Sequence, residues 1–118
     1  MKYYINYDYI NWNKYINAER SNKFLGAKIK REEKEITYYL TKHIKPVSNY
    51  PVKLIFTKYV KTTNTDIDNI RVKGLIDGLI ESGILINDSL KYINCIELKA
   101  EKSKDKTGID IEIIQNQH

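Results

Sequence analysis

The residues best suited to chemistry lie in one short stretch, Thr65-Asp66-Ile67-Asp68-Asn69-Ile70-Arg71-Val72-Lys73, with Asp77 four residues beyond it and Asp88 after the next turn of the chain. Asp66 and Asp68 are two apart, so in an extended segment their side chains leave on the same side. Two carboxylates crowded in this way repel each other and stay ionised together only if a positive charge sits between them. A divalent cation meets that need, and a hard one such as magnesium prefers oxygen ligands. The same residue types also serve a plain structural purpose. Asp and Asn before an apolar helix are common capping and turn residues, and on the pattern alone capping and metal binding stand about level. An EF-hand is excluded. Counting from Asp66, its fifth and sixth loop positions are Ile70 and Arg71, where that loop needs an oxygen ligand and a glycine.

The elements around this stretch follow from periodicity. Val72, Leu75, Ile76, Leu79 and Ile80 repeat as one helical face, which predicts a helix from Asn69 to about Ser82, capped by Asp68 or Asn69 and stopped by Gly83. Upstream, Val52–Val60 reads as a strand that delivers Lys58 and Lys61 to the acidic pair. Residues 3–10 alternate as a first strand rich in aromatic and branched residues. Residues 11–20 show no clean period and read as a loop, in which Trp12, Lys14, Tyr15 and Arg20 mix aromatic and basic groups. Burial of Trp12 under the domain is the favoured role for that tryptophan. From Ser21 to about Ile44 a long charged helix is expected. Its narrow apolar stripe is Leu25, Ile29, Ile36, Leu40 and Ile44, and Glu32 and Glu33 fall on a solvated, ion-paired face. Leu90–Ala100 and Ile109–Ile114 read as two further strands joined by the basic hairpin loop EKSKDKTG. The order βαβαββ predicts a single α/β (α+β) domain over residues 1–118, a four-stranded mixed sheet with two helices.

Composition bounds the class. The chain has 118 residues, enough for one domain and one core. No apolar run approaches membrane-spanning length, and the first residues lack the layout of a signal peptide. One cysteine, Cys95, leaves no internal disulfide and no cysteine zinc site, and suggests a reducing cytoplasm; it is expected as a small buried strand residue. Two histidines are too few for a histidine metal site or a triad. His43 is expected as a helix C-terminal residue, and His118 is simply the last residue given. The net charge is +5 although the most conspicuous motif is acidic. A basic surface around a cluster of carboxylates suits a protein that holds a polyanion and needs a cation at one spot.

The ordered set Asp66-Ile67-Asp68-Asn69, Lys73, Asp77-Gly78-Leu79 and Gly83-Ile84-Leu85-Ile86-Asn87-Asp88 resembles the RusA family of Holliday-junction resolvases, small endodeoxyribonucleases often encoded by phages and prophages. The likeness covers the second half of the chain well and the first half loosely. It implies magnesium, with manganese as a substitute, held by Asp66, Asp68 and Asp88, and Lys73 as catalytic base or charge stabiliser. It also implies four-way junction DNA as substrate, a homodimer, and a part in DNA recombination and repair. Two departures stand out. Three residues separate Asn69 from Lys73 where the family pattern has two, so Arg71 is a rival for the basic role, and Asn87 stands where a second aspartate is common.

The chemistry also stands on its own. Magnesium on two or three aspartates, with a lysine beside the developing phosphorane charge, suffices for phosphodiester hydrolysis without a histidine or cysteine nucleophile. The expected DNA contacts are Lys14, Lys58, Lys61, Arg71, Lys102, Lys104 and Lys106. Two rival readings remain: a branched-DNA-binding protein that does not cut, and a less selective metal-dependent nuclease. A helix from Asn69 to Ser82 would be about 20 Å long. That length favours Asp88 reaching the acidic pair of a partner subunit.

Overall fold

The computed structural model describes residues 1–116. Its elements are β1 (Lys2–Ile5), α1 (Trp12–Ser21), α2 (Lys23–Leu40), β2 (Val52–Val60), a 3₁₀ turn (Ile67–Asn69), α3 (Lys73–Glu81), β3 (Ile93–Lys102) and β4 (Ile109–Ile114). The expected α+β class holds: one four-stranded mixed sheet, in spatial order β1-β4-β2-β3, with helices packed on it. β2 runs parallel to β3 and antiparallel to β4, and β1 runs antiparallel to β4. The βαβαββ order and the helix count change, because residues 12–21 form α1 rather than a loop.

That helix is short and buries only Tyr15, so it carries no apolar period to read. Its start is nevertheless set by the sequence, since the Asn11 side chain accepts from the Lys14 N–H. Asn22 ends α1 and caps α2, accepting from the Phe24 N–H. β1 is also shorter than expected, leaving the sheet after Ile5, where pairing with β4 ends.

The core lies between one sheet face and α3. Val52, Leu54 and Phe56 of β2 and Ile109, Ile111 and Ile113 of β4 meet Leu75, Ile76 and Leu79 of α3. The helix stops as predicted at Gly83, whose φ of 80° suits glycine and permits a Schellman ending. There the Gly83 N–H bonds to the Ile80 carbonyl and the Ile84 N–H to that of Leu79.

α2 packs against α3 in an unexpected register. Its buried face is Gly26, Glu33 and Thr37, continued by Thr41, while Leu25 of the expected stripe stays exposed. The cause lies on α3. Gly74 abuts Glu33 and Gly78 abuts Thr37, and a Cβ at either glycine would collide with those side chains. Two glycines a turn apart thus let a carboxylate and a hydroxyl, rather than the isoleucines, settle into the joint.

Three smaller expectations also change. β3 and β4 are not a hairpin, because β2 lies between them and segment 103–108 crosses the end of the sheet. Cys95 lies in a strand but is exposed, on edge strand β3 opposite Lys53. The C-cap of α2 is Thr41, and His43 sits in the following turn with its ring edge-on to Tyr3. His118 lies outside the described residues. No helix among the described residues is long and apolar enough to cross a membrane.

Candidate functional site

β2 carries the chain out of the sheet, and after Val60 the backbone turns through Thr62–Thr65 into the 3₁₀ turn that bears the acidic pair. The capping explanation of that pair fails. α3 begins only at Lys73, its N-cap position is Val72, and no side chain caps it. Asp66 stands at the head of the 3₁₀ turn without a side-chain cap bond. Both aspartates are exposed, and neither carboxylate has a hydrogen-bond or ion-pair partner among the described residues. Asn69 does act as a cap, but for another helix: its side-chain oxygen accepts from the Asn13 N–H of α1 at 2.9 Å. The motif is therefore tied to α1 while its carboxylates are left over.

Lys73, the first residue of α3, donates to Asp77 at 2.9 Å and lies 3.5 Å from Asp88. The structure thus gathers Lys73, Asp77 and Asp88 within one chain. The expected 20 Å gap shrinks because α3 has nine residues, about 13 Å, and the Schellman turn sends the chain straight back. Asp88 reaches the first turn of α3 in its own subunit, so the premise for placing it across a dimer falls. The hydrogen bond from Lys73 to Asp77 raises the lysine pKa above its ordinary 10.5, with the charges of Asp77 and Asp88 adding to the effect. A lysine held protonated in this way carries a positive charge beside the two carboxylates. Among the described residues, no three acidic, histidine or cysteine side chains lie close enough to form a ready-made metal cage, so Asp66, Asp68 and Asp88 are not gathered into one.

Arg71 departs from expectation most. Its side chain is 0% exposed, so it cannot meet a phosphate on the protein surface as expected. It donates from Nη1 to Glu33 at 2.6 Å, and its guanidinium lies 4.3 Å from the Tyr15 ring centre and 5.4 Å from that of Trp12. Glu33, expected on a solvated face, is buried with it. Burial pushes the Glu33 carboxyl pKa up, against the opposing pull of Arg71. Trp12 accordingly roofs an ion pair and stays 36% exposed, not tucked under the domain. No sequence period reports this joint, since a glutamate in a run of charges looks like surface.

A cleft of about 420 Å³ opens beside Asp66, walled by the end of β2, the start of α1 and the segment between β1 and α1. Lys14, Lys58 and Lys61 line it, together with Asp8, Asn11 and Asn69. Lys58 is paired with Asp8, and Lys61 donates to the Lys104 carbonyl at 2.9 Å. Lys106 is engaged elsewhere: its ammonium lies 4.6 Å from the Tyr4 ring centre and 4.4 Å from that of Tyr59. Its hydrogen bond to the Tyr59 hydroxyl leads the causes that raise its pKa. Lys102, the last residue of β3, and Lys104 on the crossing segment stay exposed. The expected DNA-contact set therefore divides into a group lining the cleft and a group on the adjoining loop, joined by the bond from Lys61 to Lys104. The chain matches no known family model and no curated protein sequence.

Proposed function

We propose that this protein is a RusA-type, magnesium-dependent endodeoxyribonuclease that nicks four-way DNA junctions in pairs, working as a homodimer in recombination and repair. The observation that carries the reading is the acidic pair itself. Asp66 and Asp68 stand exposed and unpartnered among the described residues, Asp66 in the lining of a cleft that also holds lysines, with no structural task that explains them. Proteins seldom crowd carboxylates without a cation or a partner.

The donor set has the right chemistry for magnesium, hard carboxylate oxygens two residues apart. Asp66 and Asp68 would hold it, whereas Asp88, expected as a third ligand, lies 3.5 Å from Lys73 instead. Bound there, the ion supplies Lewis acidity for phosphodiester hydrolysis. The rest falls to the chain. Lys14 and Lys58 draw the DNA backbone to the cleft. Lys73, kept protonated and oriented by Asp77 and Asp88, offers a positive charge where negative charge develops on phosphate oxygens. Its raised pKa favours the charge-stabilising role over that of base. With Arg71 committed to Glu33, Lys73 is also the better bearer of the basic role. A two-fold homodimer presents two such sites to the two strands of a junction.

A second reading has one observation in its favour. Lys73 already neutralises Asp88, as suits a protein that binds branched DNA without cutting it. A panel of four-way junction, flap, single-stranded and duplex DNA, each with magnesium and with EDTA, separates the readings. Magnesium-dependent nicks confined to the junction support the resolvase, and equal cutting of flaps and single strands indicates a less selective nuclease. Tight junction binding without nicks in magnesium points to the binding protein.

A further inference from the structure

The cleft is rich in hydrogen-bond donors, and the unpartnered Asp66 carboxylate stands among its lining residues as an acceptor. Asn11 and Asn69 each spend the side-chain oxygen on an α1 N–H, at 2.9 Å in both cases, which leaves their amide NH₂ groups as donors. Lys14 adds an ammonium, and of the acidic lining residues Asp8 is already taken by Lys58. Ile10, Ile70 and Ile109 supply apolar wall between these groups. At about 420 Å³ the cleft falls in the size range of small-ligand sites, suited to one nucleotide and closed to a stacked, paired duplex.

We propose that this cleft receives one nucleotide of a locally unpaired DNA strand, its phosphate held by Lys14 and Lys58 and the edge of its base met by the amide donors of Asn11 and Asn69. Placing that nucleotide next to the bond to be cut rests on the nuclease reading; its capture does not. Extracting a nucleotide costs least where pairing is already broken, so the cleft itself selects for branch points.

The test uses the full chain in EDTA, with a synthetic four-way junction carrying 2-aminopurine at the branch-point nucleotides. Unstacking of that base raises its fluorescence, and anisotropy of a dye on a distant arm reports total binding. The wild-type protein is expected to raise the 2-aminopurine signal on binding. The double variant Asn11→Asp, Asn69→Asp keeps both oxygens that cap α1 but removes both NH₂ donors. It should cut the rise roughly tenfold, as one or two lost hydrogen bonds would. Asn64→Asp, the same change outside the cleft, should leave the rise intact, and circular dichroism checks the fold of each variant. DNA bound without any rise, or an equal rise in the double variant, overturns the proposal. A preserved, cleft-dependent rise in a protein that never nicks DNA would remove the nuclease reading and leave this one standing. Nicking with no rise would do the reverse.

Discussion

The Glu33–Arg71 pair permits a quantitative test of how the acidic motif is held. Arg71 follows Asp68 by three residues, and its buried side chain fastens that backbone to α1 and α2. Replacing Glu33 with alanine removes the one carboxylate that, among the described residues, pairs with a guanidinium that is 0% exposed. Stranding a buried charge in this way costs about 3–5 kcal/mol, out of a total stability of about 5–15 kcal/mol for a domain. Unfolding entropy scales with chain length, and for 118 residues each kcal/mol moves Tm by about 4 °C, so a fall of about 12–20 °C is expected. The double variant Glu33→Leu, Arg71→Met removes both charges and keeps apolar volume against Gly74, Trp12 and Tyr15. It should recover most of the loss, because a buried ion pair replaced by packed hydrophobes is close to neutral or better. Urea unfolding followed by circular dichroism measures both. A single-variant cost under about 1 kcal/mol, the range of a solvated surface pair, would refute the buried-pair reasoning. A double variant no better than Glu33→Ala would refute it as well.

Further outcomes follow from the same geometry. Folded Glu33 holds its proton more tightly than the unfolded chain does. Its contribution is therefore most favourable below the ordinary value of 4.5 and declines as pH rises from there towards the raised folded pKa. The Glu33→Leu, Arg71→Met protein should show a flatter stability–pH curve across that window, measured by urea midpoints. If Lys73 acts by charge, Lys73→Arg should keep measurable nicking while Lys73→Gln loses about 10²–10³-fold, and equal loss in both would argue against a charge role. Junction affinity should fall steeply with salt, by about 0.9 in log–log slope per phosphate contact. Neutralising Lys102 and Lys104 together should reduce that slope, and an unchanged slope would take the loop out of the interface.

The sequence was most legible where burial and periodicity coincide. β2 and β4 are found at the expected residues, Val52–Val60 and Ile109–Ile114, because their alternating side chains face one core. The apolar face of α3 and its stop at Gly83 are equally direct. α1 was hidden because a helix that buries one tyrosine shows no period. The position of β3 was hidden because a polar, glycine-ended segment suits a hairpin as well as a crossing connection. The buried role of Glu33 depends on Gly74 and Gly78, glycines of another helix that is distant in sequence. At the site, the carboxylates and lysine were visible from their spacing, whereas the cleft and the Arg71 joint arise only when α1 is docked on the motif through Asn69. The long helix assumed for Asn69–Ser82 also misplaced Asp88, since Asp68 and Asn69 cap nothing in α3.

The central claim is that Asp66 and Asp68 exist to hold a metal for cutting branched DNA. Its most direct measurement is nicking of a synthetic four-way junction in magnesium by the wild-type protein and by Asp68→Asn, with junction binding recorded for both. The resolvase reading predicts paired nicks from the wild-type protein, none in EDTA, and none from Asp68→Asn, which still binds the junction as tightly or more tightly. Junction binding by the wild-type protein with no nicks in magnesium would contradict it, as would cutting that survives in Asp68→Asn.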